Sequence, residues 1–192
     1  PSLGRYAPML PPDESEGQPG DRFGASLAAG DINKDGFADL VVGAPGRAVG
    51  QATQAGGVYL FEGSPWRPQK GRALDRDPDA PAAATGDAFG AALATGDLDA
   101  DGFADVLVGA PGADAVGSAD AGALFVYRGS PDWLDAGRYV DQQALGWASA
   151  DGDRFGAALA VGDFNDNGRP DVAVGAPGRD GGAGVVLIVE DF

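Results

Sequence analysis

The sequence predicts an all-β chain built from three copies of one unit, each a small four-stranded antiparallel sheet. Three observations predict it. Gly20-Asp21-Arg22-Phe23-Gly24 recurs as Gly86-Asp87-Ala88-Phe89-Gly90 and as Gly152-Asp153-Arg154-Phe155-Gly156, at an offset of 66 residues each time. Self-similarity at a fixed period is the mark of a repeat architecture and is sought before any element is assigned. Next, the apolar runs are short, four to six residues between Gly, Pro and Asp turns, which is the punctuation of strands. Finally, no stretch keeps a 3.6-residue period for three turns; Pro131 to Gly137 allows one helical turn at most.

Each unit reads in the same order. Small residues such as Ala25 to Ala29 form a first strand that enters an acidic loop, and Leu40 to Val42 leave it as a second. Val42-Gly43-Ala44-Pro45-Gly46 returns at Val108 to Gly112 and at Val174 to Gly178. Val58 to Phe61 and its counterparts make a third strand. A fourth is expected near Ala80 to Ala84 and Asp141 to Leu145. The repeats therefore cover about 20–80, 86–146 and 152–192. The last ends after Val185 to Val189 with no fourth strand, whereas Gly4 to Leu10 is a spare one. A spare strand at one end and a vacancy at the other suggest closure by exchange, a way for radially repeated sheets to protect their edges.

The acidic loops carry the chemistry. Asp97-Leu98-Asp99-Ala100-Asp101-Gly102-Phe103-Ala104-Asp105 alternates carboxylates around one glycine. Like charges in a row repel unless something positive lies between them. Calcium takes about six to eight oxygen ligands, and loops that bind it open with alternate acidic residues and then a glycine for the sharp turn. By the same position rule, side chains at positions 1, 3, 5 and 9 and the carbonyl of position 7 are the ligands. In the first loop these are Asp31, Asn33, Asp35 and Asp39 with Phe37. The second has Asp97, Asp99, Asp101 and Asp105 with Phe103. The third has Asp163, Asn165, Asn167 and Asp171 with Arg169. One such loop is hard to tell from a polar turn, since Asp, Asn and Gly favour turns anyway; three in register point to metal. Three calcium ions per chain are expected. Ligand carboxylates number three, four and two in chain order, so charge alone ranks the second loop tightest and the third weakest.

Composition narrows the function classes. The 192 residues hold 29 acidic and 13 basic side chains, a net charge of −16, which repels nucleic acid and anionic membranes. No apolar run approaches the roughly 18 residues that cross a bilayer. Histidine and cysteine are absent, removing the commonest general base, the usual zinc ligand and every Ser-His or Cys-His nucleophile. No glycine loop carries a phosphate-binding Gly-Lys-Ser/Thr. The only glutamates, Glu14, Glu16, Glu62 and Glu190, recur in no motif.

Phe-Gly, then the nine-residue acidic loop, then Val-Gly-Ala-Pro, three times over from Phe23 to Val189, resembles the FG-GAP repeat of integrin α-subunit β-propellers and their bacterial relatives. The resemblance implies a β-propeller with one blade per repeat, calcium in the loop between a blade's first two strands, and a ligand face opposite those loops. There, Arg47 and Arg179 occupy matched positions, expected to be solvated. It also implies an extracellular or cell-surface module for adhesion, ligand recognition or assembly, with an unidentified protein or glycan as ligand. Closed propellers have about four to eight blades, so three must be completed. A homodimer of six blades, with strands exchanged, is the expected solution. The alternatives are a propeller enzyme acting on polysaccharide and a structural piece of a larger surface protein. Phe23, Phe89 and Phe155 are expected in the core between blades, Asp21, Asp87 and Asp153 as turn acceptors, and Trp66 and Trp133 packed on neighbouring strands.

Overall fold

The computed structural model describes residues 9–11, 17–66, 71–74, 76–77 and 79–190. The first sheet comprises β1 (Ser26–Gly30), β2 (Asp39–Gly43), β3 (Val58–Phe61) and β4 (Arg72–Leu74), hydrogen-bonded in that order. The second unit runs β5 (Ala92–Gly96), β6 (Asp105–Ala110), β7 (Ala123–Tyr127), a small hairpin of β8 (Gly129–Ser130) and β9 (Trp133–Leu134), and β10 (Arg138–Val140). Its main sheet has the order β5-β6-β7-β10. The third holds β11 (Ala158–Gly162), β12 (Asp171–Ala176) and β13 (Val185–Val189), a three-stranded sheet among the described residues. All pairings between neighbouring strands are antiparallel, and β1 meets β2 in the register that β5 and β11 repeat.

Strand alternation explains how the blades stack. Successive side chains point to opposite faces of a strand, so β6 sends Val106 and Val108 to one side and Leu107 to the other. The first pair packs with Val41, Val58 and Leu60 of the first blade, in a core that also holds Phe89, Phe125 and Tyr127. Leu107 packs with Val172, Val174 and Phe155 of the third blade. Burying one such side chain is worth about 1.5–3 kcal/mol, and each interface buries several. The second and third Phe-Gly pairs sit at the junctions, whereas Phe23, expected there too, is half-buried against Tyr59 and Phe61 of its own blade. Phe89 and Phe155 are buried, and their amides donate to the Ala55 and Ala121 carbonyls of the preceding blade, at 3.0 and 2.9 Å.

Three expectations are corrected. The fourth strands lie earlier than Ala80 to Ala84 and Asp141 to Leu145: β4 and β10 pair with β3 and β7 instead. Pro81 has no amide to give a ladder, and the Asp141 carboxylate accepts the Ala144 amide at 2.8 Å, closing a turn where the strand was expected. Meanwhile Tyr139 packs edge-on against Phe125, which anchors β10. Pro131 to Gly137, where the sequence allows one helical turn at most, holds the second strand of a hairpin. Trp66 is 90% exposed rather than packed against a neighbouring strand of the described residues, while Trp133 is partly buried beneath the Arg72 guanidinium. Of the expected N-terminal strand, residues 4–8 lie outside the described residues, and Met9 and Leu10 are in no strand.

Candidate metal centres

The three acidic loops fold alike because the same side chains tie the same amides. The first carboxylate spans the loop: Asp31, Asp97 and Asp163 each accept the position-5 amide on Oδ1 at 3.0 Å. Their Oδ2 atoms accept the amide of Gly36, Gly102 or Gly168 at 2.8–2.9 Å. Asn33, Asp99 and Asn165 accept the position-5 amide as well. Asp35, Asp101 and Asn167 each take the amide two residues on. These bonds hold position 4 in the left-handed region, with φ of 60° at Lys34, Ala100 and Asp166. Left-handed geometry costs a non-glycine residue on the order of 1 kcal/mol, a cost the shared hydrogen bonds offset.

In the second loop this arrangement brings ligand oxygens of Asp97, Asp99 and Asp101 within 4.8 Å of one another, with Asp99 and Asp101 exposed. The donor set suits a hard cation: carboxylates throughout, each with about four lone-pair positions, of which the amides occupy only some. Loops 1 and 3 reproduce the turn with asparagines at some ligand positions. The structure thus gathers positions 1, 3 and 5 at an accessible rim.

Position 9 is different. Asp39, Asp105 and Asp171 are fully buried beneath their loops. Each accepts the position-2 amide, from Ile32, Leu98 or Phe164, at 2.9 Å. Asp39 and Asp105 also take the Gly63 and Gly129 amides after the third strand, at 2.8 and 2.9 Å. These carboxylates therefore staple each loop to its sheet. Burial pushes the Asp39 carboxyl above its usual range, opposed by the Gly63 and Ile32 amides. Burial raises Asp105 too, against the Gly129 and Leu98 amides and Arg128. Buried anions need such partners, because desolvation penalises the charged form.

Arg128 is the site residue that motif reasoning missed. Its guanidinium stands 2.7 Å from Asp105 and 3.6 Å from Asp99, so the most acidic loop carries its own counter-ion. The first blade has Glu62 at the matching position, directly after β3. That break in charge pattern was the only signal, and it lies outside the nine-residue loop. Lys34 of the first loop also crosses to the second, donating to the Asp101 carbonyl at 3.0 Å and lying over the Phe103 ring.

On the other side of the blades, the arginines expected to be solvated are built into the fold. Arg179 Nη1 donates to Gln142 Oε1 at 2.8 Å, to the Ala148 carbonyl at 2.6 Å and to Asp153 at 3.1 Å. Arg47 lies over the Tyr59 ring. The turn role of Asp21, Asp87 and Asp153 holds: each accepts the amide three residues before it. No helix among the described residues is long and apolar enough to cross a membrane.

Comparison with known proteins agrees with this architecture. The FG-GAP repeat matches residues 23–61, 89–127 and 155–189, the three blades in turn. Integrin alpha-PS5 of Drosophila melanogaster is 34% identical over 172 residues, 85% of this chain and 16% of that protein. Human integrin alpha-IIb is 39% identical over 168 residues, 81% of this chain and 15% of the integrin. A bovine phosphatidylinositol-glycan-specific phospholipase D is 32% identical over 182 residues, 89% of this chain and 20% of the enzyme. The chain thus spans a fifth or less of each of these relatives. Three matched repeats, folded as successive antiparallel blades, make this chain a member of the FG-GAP repeat family.

Proposed function

We propose that the chain is a non-catalytic, calcium-stabilised propeller module that serves outside the cell in adhesion, ligand recognition or assembly. The observation that carries this is the common fold of the three acidic loops, with oxygens of Asp97, Asp99 and Asp101 converging at one rim. In this reading positions 1, 3, 5 and 9 and the position-7 carbonyl of each loop hold one ion, three per chain. Calcium there would neutralise carboxylates that otherwise repel, and so lock each blade's first hairpin. A site held at about 100 times its dissociation constant adds roughly 2.7 kcal/mol when only the folded state binds. Weak sites of this kind suit calcium-rich extracellular surroundings. The integrin relatives support that location.

The non-catalytic reading rests on the residue inventory: the chain has no histidine or cysteine, and its recurring clustered carboxylates are those of the loops. We further read the working unit as a homodimer closing a six-bladed ring, with residues 4–10 of each copy completing the partner's third blade. The ligand is a protein or glycan, met on the face away from the acidic loops. Titration calorimetry tests the metal reading directly. Three calcium ions per chain and a melting temperature lowered by chelator are expected; no heat of binding and an unchanged melt would refute it.

A further inference from the structure

The two interfaces inside the chain are built as plug and socket, and the third blade presents the same socket open. At the first junction Gly86, Ala88 and Phe89 donate to the carbonyls of Thr53, Gln54 and Ala55. At the second, Gly152, Arg154 and Phe155 donate to Ala119, Asp120 and Ala121 in the same pattern. The socket floor is a glycine on the second strand. A Cβ on Gly43 would strike the Gly90 carbonyl, and one on Gly109 the Gly156 carbonyl. The socket lip is another glycine, Gly56 or Gly122, at φ of 92° and 86°, where a Cβ would strike Phe89 or Phe155.

The third blade repeats this lining. Gly184, at φ of 77°, donates to the Arg179 carbonyl as Gly56 does to Arg47 and Gly122 to Ala113. Ala183 therefore corresponds to Ala55 and Ala121, yet it is exposed where they are fully buried. Gly175 corresponds to Gly43 and Gly109, and the atoms nearest its would-be Cβ are those of Ala158 in its own blade, at 3.2 Å and beyond. Between Gly175–Pro177 and Ala183–Val186 lies a recess of about 460 Å³. The sheet face beside it is bare as well. Val186, Ile188 and Phe164 are 63%, 47% and 53% exposed, while their counterparts Leu124, Val126 and Leu98 are at most 4% exposed beneath the third blade.

The opposite end of the chain offers the complement. Leu27 is 61% exposed, whereas its counterparts Leu93 and Leu159 pack into the inter-blade cores. Gly24 is exposed where Gly90 and Gly156 are buried. The open face of the third blade thus continues the interface already formed twice, and the first blade carries the element that fits it.

We propose that the recess on the third blade receives the Phe23-Gly24 turn of a second copy of this chain, with Leu27 of that copy covering Val186 and Ile188. The proposal rests on the homodimer reading and names its contact surface. Two such contacts, related by a two-fold axis, would close six blades, within the range of closed rings.

Light scattering on the full chain in calcium buffer tests it, using Leu27→Asp and Val186→Arg, both at exposed positions that leave each blade's own core intact. The wild type is expected at the mass of two chains. Each variant alone is expected at one chain at the same concentration, with an unchanged circular dichroism spectrum. Mixing the two variants is expected to restore the two-chain mass, because the mixed pair retains one unaltered plug and one unaltered socket. A wild-type dimer that both variants leave intact would overturn the plug-and-socket contact while sparing the homodimer. A wild-type mass of one chain would overturn both, leaving the recess to a further unit of a longer chain.

Discussion

The guanidinium of Arg128 lies 2.7 Å from the buried carboxylate of Asp105, between the end of the third strand and the start of the second. It also reaches Asp99, 3.6 Å away. Arg128 thereby offsets one of the second loop's four ligand carboxylates, and Lys34 of the first loop brings a second positive charge to the same loop. Charge counting along the motif ranks the second site tightest; the tertiary contact offsets that advantage.

Replacing this counter-ion should act in two directions. Arg128→Gln leaves Asp105 buried without its cation, so the calcium-free melting temperature falls. It also removes a positive charge beside the proposed calcium site, so calcium affinity at the second loop is expected to rise, on the order of tenfold for a unit charge a few ångströms away. Calorimetry and melts with and without calcium should show a lower starting point and a larger calcium-induced increment.

Asp105 itself should matter without metal. Asp105→Ala strands the Leu98 and Gly129 amides and leaves Arg128 without its main partner. Each buried amide left without its acceptor costs about 1–3 kcal/mol. Urea denaturation in the presence of chelator should show most of that loss; Asp101→Ala, at the exposed rim, should show little until calcium is added.

The clamp between second and third blades is a separate target. Arg179→Ala removes one nitrogen's bonds to Gln142, Ala148 and Asp153, but Gln142 and the Ala150 amide still hold Asp153. A loss of about 1–3 kcal/mol is expected. Amide exchange should rise first along β12 and β13, since those strands depend on this junction for their cover.

Tyr139 sets an alkaline limit. Burial pushes its phenol up to about 12, with Asp141 adding to the shift and Arg76 opposing it. The folded chain then keeps a proton that the unfolded chain, titrating near 10, gives up. Stability present below pH 10 is lost as pH rises towards 12, by about 1.4 kcal/mol per unit. Denaturation against pH should show a shallower fall over this range in Tyr139→Phe than in the wild type.

What the sequence determined by itself is whatever nine or ten consecutive residues can encode. The three units, the first two strands of each, the loop turns and their metal-type donor pattern were all legible, because side chain and backbone partners lie within a few positions. Asp31 meets Asp35 and Gly36; Asp97 and Asp163 do the same. Tertiary structure decided the rest. Arg128 joins Asp105 across 23 residues, Arg179 joins Gln142 across 37, and Phe89 meets Ala55 across the blade junction. The Phe-Gly motif marks Phe89, but no period or motif marks Arg128 or Arg179 as the partners they are, since each is chosen by what the neighbouring strands place opposite it. The fourth strands followed the same rule: β4 and β10 formed where β3 and β7 offered an edge and Tyr139 found a ring to pack on. The open recess at Gly175 and Gly184 is equally tertiary, visible only because two filled copies of it stand beside it.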